Sequence, residues 1–113
     1  MTEFQPGDIV IASFPFSTQK GAKERPCLIL AVCDSPQDYL AAYISSSAYA
    51  MSLVSAISIP ISFASETSLK VTSYVRADKL SMLHASVIEG RIGKLPLEIM
   101  LQVKASLKKL LAL

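Results

Sequence analysis

Gly7-Asp8-Ile9-Val10-Ile11-Ala12-Ser13-Phe14 and Cys27-Leu28-Ile29-Leu30-Ala31-Val32 flank a basic stretch, Lys20-Gly21-Ala22-Lys23-Glu24-Arg25-Pro26. Both flanks are short, apolar and bounded by turn residues. They read as strands over about 8–14 and 27–33, joined by a loop over 15–25. Gly21 permits positive φ in the connection, and Pro26 keeps Arg25 extended. An arginine so placed stands at the mouth of a sheet, where a fixed cation can meet a phosphate. A solvated hairpin loop is the plain alternative.

Downstream the same pattern repeats. Asp34-Ser35-Pro36-Gln37-Asp38 reads as a turn, Tyr39 to Ser45 as a third strand, and Ser45-Ser46-Ser47 as a polar loop. Tyr39 to Ser65 holds no charged residue, yet Ile57, Ile59, Ile61 and Phe63 alternate with Ser58, Pro60, Ser62 and Ala64. That period of two marks a strand with one buried face, over about 53–63, and argues against a membrane helix. Pro60 points to an edge strand or a bulge. After a polar turn at Ala64 to Ser68, a fifth strand is expected over Lys70 to Ala77, with Val71, Ser73 and Val75 on one side. A short turn at Asp78 to Leu83 and a brief strand over Ile88 to Ile92 complete the β portion. Strands this short, at such spacing, suggest a small antiparallel barrel or sandwich.

The end of the chain changes period. Leu97, Met100, Val103, Leu107, Leu110 and Leu111 recur at three and four, with Glu98, Gln102 and Lys109 opposite. Pro96 and Glu98 suit a helix start, and Lys104 and Lys108 can snorkel from the flank. This predicts one amphipathic helix, laid on the barrel or shared with a second subunit.

The 113 residues suit one domain over 1–113, with a modest core. A net charge of +2, from 11 basic and 9 acidic residues, gives no whole-surface field, so an anion site must be local. Met1 to Pro6 has an acid and a proline and no apolar segment, and is expected not to be a signal peptide. Cys27 and Cys33 fit no zinc or redox motif and are expected as reduced thiols in the cytoplasm. The single histidine, His84, excludes a two-histidine centre within one chain and is expected at the surface or in a structural role. No cluster has metal-ligand spacing and no glycine motif cradles a phosphate, so no metal or cofactor is expected.

A resemblance carries the reading further. Gly7-Asp8-Ile9-Val10, Phe14-Pro15-Phe16, Gly21-Ala22-Lys23 and Arg25-Pro26-Cys27-Leu28-Ile29-Leu30 resemble the opening of the PemK/MazF-like toxins. Ala42-Tyr43-Ile44-Ser45-Ser46, Val75-Arg76-Ala77-Asp78-Lys79-Leu80 and Arg91-Ile92-Gly93-Lys94-Leu95 resemble later stretches of the same family, in order over nearly the whole chain. The resemblance implies a mainly β (α+β) fold, an SH3-like antiparallel barrel with a C-terminal α-helix, acting as a homodimer. It implies a sequence-specific, metal-independent endoribonuclease that cleaves single-stranded RNA and is inhibited by a cognate antitoxin, without membrane association.

By the same resemblance Arg25 and Ser45 are the catalytic pair, with serine standing where the family has threonine. The hydroxyl is kept and the methyl that limits rotation is lost, so weakened activity is expected. Phe16, Lys20, Lys23, Ser46, Asp78 and Lys79 are the expected substrate-binding residues, with Phe16 otherwise a core or interface residue and Asp78 and Lys79 otherwise a surface ion pair. Two alternatives remain: a member that has lost catalysis and serves as its antitoxin's partner, and a CcdB-like gyrase poison. The latter acts through C-terminal aromatic residues, which Lys109-Leu110-Leu111-Ala112-Leu113 lacks. A hydrophobic content of 51% exceeds what one small barrel readily buries and favours a two-fold interface.

Overall fold

The computed structural model describes residues 3–13, 24–35 and 37–113. Among these residues six strands follow one another: β1 (Asp8–Ser13), β2 (Glu24–Val32), β3 (Asp38–Ser45), β4 (Ala56–Ile59), β5 (Ser73–His84) and β6 (Ile88–Lys94). Among the same residues are three α-helices, α1 (Ala48–Met51) and α2 (Ala64–Thr67) between strands and α3 (Leu97–Leu110) after the last. The strands make one antiparallel sheet in the order β4-β5-β3-β2-β1-β6, with α3 laid on it, which is the expected mainly β, α+β class. Among the described residues β4 and β6 are its edges, and no ladder closes one onto the other.

Alternation along the strands divides the core in two. Ile9, Leu28, Ala42, Ile44 and Val75 face α3, where Ile99, Met100 and Val103 are buried against them. Each of those three helix residues contributes about 2 kcal/mol of apolar burial. Val10, Cys27, Ile29, Tyr39 and Leu83 face the other way and pack with Phe4. The Phe4 and Tyr39 rings meet edge to face at 5.4 Å. The Tyr39 hydroxyl accepts from the backbone N–H of Glu3 and Phe4.

Several boundaries differ from those expected, each for a local reason. β2 starts at Glu24, so Arg25 and Pro26 are strand residues opposite Ala12 and Ile11 rather than the end of a loop. β4 is an edge strand, as Pro60 suggested, but ends at Ile59. The alternation at Ile61 and Phe63 then falls on a single 3₁₀ turn running into α2, and Ile61 is exposed. α2 ends on Ser68, which adopts the left-handed conformation (φ 62°). β5 starts later and runs through the turn expected at Asp78 to Leu83. Its register with β3 jumps from Ala42↔Leu80 to Tyr43↔Arg76, so Ala77, Asp78 and Lys79 are taken up in a bulge. On α3, Leu97, Leu110 and Leu111 are exposed, because the buried stripe is Ile99, Met100 and Val103 with half-buried Leu107. Among the described residues no helix is long and apolar enough to cross a membrane.

Candidate functional site

The site starts from a missing hydrogen-bond donor. Pro26 has no N–H to give to a ladder, and the pairing of β2 with β3 stops at Cys27↔Tyr43. Continued, that register would set Pro26 against Ile44 and Arg25 against Ser45. Instead β2 goes on with β1 alone and β3 with β5 alone. The gap between them is a cleft of about 140 Å³, with Arg25 and Pro26 on one wall and Tyr43, Ile44 and Ser46 on the other. Leu69, Lys70, Val71 and Ser73, on the path from α2 into β5, close it.

Arg25 is half-buried, and its Nε is buried without a hydrogen-bond partner among the described residues. A guanidinium donor held out of water and unsatisfied is costly, and an anion in the cleft would relieve it. The neighbouring Glu24 carboxyl is exposed and hydrogen-bonds Glu89, a contact that holds its pKa above the ordinary carboxylate value. Cys27 donates its thiol to the Arg25 carbonyl oxygen at 3.5 Å, and burial pushes that thiol up to about 12. It is therefore a neutral packing residue, not a nucleophile.

The serine run after β3 has a division of roles. Ser45 is buried, and its Oγ donates to Ser47 Oγ and accepts from the Ser47 N–H, both at 3.1 Å. Ser47 in turn caps α1, its Oγ accepting from the Ala50 N–H at 3.3 Å. Ser46, pointing the other way, is exposed and lines the cleft. The structure thus brings Arg25 and Ser46 into one cleft and sets Ser45 behind its wall. Phe16, Lys20 and Lys23 lie outside the described residues, as do Phe14-Pro15-Phe16 and Gly21-Ala22.

Asp78 and its neighbour Lys79 sit in the β5 bulge. Both Asp78 oxygens accept from Arg76, Oδ1 from Nε and Oδ2 from an Nη, each at 2.8 Å. The Arg76 side chain is 8% exposed and that of Asp78 34%. This hydrogen-bonded pairing holds the Asp78 carboxyl below the usual range and raises the Arg76 guanidinium further. The Tyr49 ring lies over the Arg76 guanidinium carbon at 5.8 Å.

His84 is remote. It pairs with Asp38 at the opposite end of β3 from Ser45, roughly 20 Å away by strand rise, and its Nδ1 contacts Ser86. Among the described residues no group of three or more His, Cys, Asp or Glu could hold a metal ion. Sequence reasoning missed Lys70, Arg76 and Tyr49. Lys70 has no local signal, because only the fold returns it to Arg25. Tyr49 had one: a lone aromatic just beyond a serine-rich strand end.

A family model described as the PemK-like, MazF-like toxin of type II toxin–antitoxin systems matches residues 5–111. No curated protein matches the chain. Among solved structures, the fold is similar to an endoribonuclease in complex with its cognate antitoxin from a Mycobacterial species. The TM-score is 0.71 at 18% identity, over 100% of this chain and 97% of that one. It is similar to the Mycobacterium tuberculosis toxin MazF-mt6, with a TM-score of 0.74 at 19% identity over 94% and 97% of the two chains. MazE-MazF from Deinococcus radiodurans gives a TM-score of 0.70 at 22% identity, over 96% and 95%. At such identities the likeness is one of fold.

Proposed function

Because the chain belongs to the PemK-like, MazF-like toxins of type II toxin–antitoxin systems, we propose that it is a toxin endoribonuclease cutting single-stranded RNA at the Arg25 cleft. The observation that carries the reading is that Arg25, whose Nε is buried without a partner among the described residues, lines one cleft with Ser46. In this reaction the ribose 2′-oxygen forms a bond to the adjacent phosphorus and the bond to the 5′-oxygen breaks. The products are a 2′,3′-cyclic phosphate and a 5′-hydroxyl. Negative charge gathers on the non-bridging oxygens, where the planar guanidinium donates two aligned hydrogen bonds.

Arginine stays protonated at neutral pH, so Arg25 stabilises charge and is not the base. The 2′-hydroxyl proton leaves to water and the 5′-oxygen takes one from water, with no histidine to speed either transfer. That makes a slow, metal-independent enzyme. Ser46 donates directly to the phosphate. Ser45, buried behind the cleft wall and bonded to Ser47, acts by holding the loop that carries Ser46. Lys70 meets the flanking backbone.

The family and the antitoxin-bound structural neighbours support a cognate antitoxin as partner. A homodimer is supported by exposed apolar residues beside a groove of about 600 Å³ between Val54 and Leu110. The test is cleavage of a long single-stranded RNA in EDTA. Wild type cuts, Arg25→Ala loses at least about a hundredfold, and equimolar antitoxin abolishes cutting. A folded wild type that leaves RNA intact, or an Arg25→Ala variant as fast as wild type, refutes the proposal.

A further inference from the structure

The bulge in β5 assembles something the cleavage chemistry does not use. Alternation puts Arg25 and Cys27 on one face of β2, and Cys27 opposes Tyr43, which opposes Arg76. Arg25 and Arg76 therefore lie on the same face, two strands apart and staggered by two residues. Regular strand spacing and rise would set their Cα atoms about 12 Å apart, and the parting of β2 from β3 at the cleft adds to this. A strand of RNA with one phosphate at Arg25 reaches Arg76 within a nucleotide or two.

Arg76 does not offer its charge to a phosphate. Asp78 takes two of its donors, and the side chain is nearly buried. What it offers is a seat. The Tyr49 ring has the guanidinium carbon 5.8 Å from its centroid, within cation–π range, and Tyr49 is nevertheless 66% exposed, so most of its surface is open. The helix that carries the ring is also held. α1 is capped by Ser47, whose hydroxyl is bonded to Ser45 at the end of β3. Exposed tyrosines ordinarily sample several rotamers, and ordering one on binding has an entropic cost. Here the contact with Arg76 favours one of them before a ligand arrives, which lowers that cost.

We infer that Tyr49, seated on the Arg76–Asp78 pair, is a stacking platform for an unpaired nucleobase of the RNA held at Arg25. The assignment rests on the ribonuclease reading for the identity of the ligand. It gives Tyr49 a positioning role: the base stacked there fixes which phosphate lies against the guanidinium of Arg25. Stacking on an aromatic ring tolerates any base, so Tyr49 sets register and affinity, and does not read sequence.

The experiment measures binding without cleavage. A random-sequence pool of single-stranded, 2′-O-methylated oligonucleotides cannot supply the attacking hydroxyl. Its affinity is measured by fluorescence anisotropy for wild type, Tyr49→Ala and Tyr49→Phe, with sedimentation and circular dichroism on the same samples. Tyr49→Ala is expected to bind about tenfold more weakly, and Tyr49→Phe within about twofold of wild type, with fold and subunit association unchanged. Equal binding by wild type and Tyr49→Ala overturns the inference. So does an equal loss in both variants, which would make the hydroxyl the contact. A weakened dimer in Tyr49→Ala assigns the ring instead to a protein interface with Met51 and Val54. A wild type that binds the pool but does not cut unmodified RNA removes the ribonuclease reading and leaves the platform standing. A wild type that does not bind the pool overturns the platform and leaves the ribonuclease reading to the cleavage test.

Discussion

Gly93→Ala tests the packing that forms one wall of the cleft. Gly93 lies in β6 opposite Ile9. A Cβ there would stand 2.5 Å from both the carbonyl carbon and oxygen of Thr67, and 2.6 Å from the Glu66 carbonyl oxygen. That is about 0.9 Å short of the 3.4 Å at which ordinary contact begins, and the obstacle is backbone. α2 cannot yield cheaply, because Thr67 is buried and its hydroxyl bridges the Phe63 carbonyl oxygen to the Leu69 N–H. Ser68 also donates its hydroxyl to the Ile92 carbonyl oxygen on β6. Overpacking of this size costs about 2–3 kcal/mol, against a total stability of about 5–15 kcal/mol. With a urea dependence near 2 kcal/mol per molar, the unfolding midpoint falls by about 1–1.5 M at unchanged slope. Leu69 and Lys70 lie just beyond α2, so a displaced helix also moves the cleft wall and, on the ribonuclease reading, weakens RNA binding. A midpoint within about 0.2 M of wild type would refute the close packing.

Two further outcomes follow from the same geometry. The Asp78 carboxyl is held down by hydrogen bonding to Arg76 and by its charge, so its stabilisation is present above the ordinary carboxylate pKa and is lost as pH falls through the lowered one. Wild type should lose about 1 kcal/mol more than Asp78→Asn between about pH 5 and pH 2, the figure being small because the carboxylate is about one-third exposed; parallel pH profiles for the two proteins would contradict this. Val54 is 93% exposed on the rim of the apolar groove, so Val54→Asp should shift a sedimenting dimer to monomer with little change in stability, and an unaltered dimer would put the subunit contact elsewhere.

The parts of the fold that could be read in advance are those where local pattern and packing agree. β1, β2 and β3 are apolar runs between turn residues, and the sheet buries both faces of them. The alternation from Ile57 to Phe63 misleads because only its first half pairs. Beyond Pro60 the chain leaves the ladder for a 3₁₀ turn and α2, and Gly93 leaves room for Thr67 against β6. The expected α3 stripe holds at Met100, Val103 and Leu107, but Ile99 is inside and Leu97 outside, which depends on where the helix meets the sheet. Of the site, Arg25 beside Pro26 was legible, because an arginine before a proline at a strand start has a definable conformation. Ser46 rather than Ser45 on the cleft was not, since adjacent residues at a strand end differ only in which face the register gives them. The Arg76–Asp78 pair follows from a bulge, and nothing in Val75-Arg76-Ala77-Asp78-Lys79 announces the jump in register there.

On the ribonuclease reading, the small net charge limits how the protein can hold a polyanion. With +2 overall, long-range attraction is weak, and screening at physiological salt removes most of it. Affinity must then come from short-range contacts of two kinds. Arg25 and Lys70 meet phosphate and respond to salt, whereas Tyr49 meets a base and does not. The two arginines illustrate the division. Arg25 lines the cleft and has a buried donor without a partner among the described residues, which suits charge that appears only as the phosphate reacts. Arg76 is neutralised by Asp78 and can act only through the flat surface it gives the ring above it. Had Arg76 been left unpaired on the same face, two guanidiniums carried two strands apart would offer the backbone alternative seats, and a strand could bind one nucleotide out of register. Pairing it with Asp78 leaves a single reactive position, and the bulge that brings Asp78 round is the structural means.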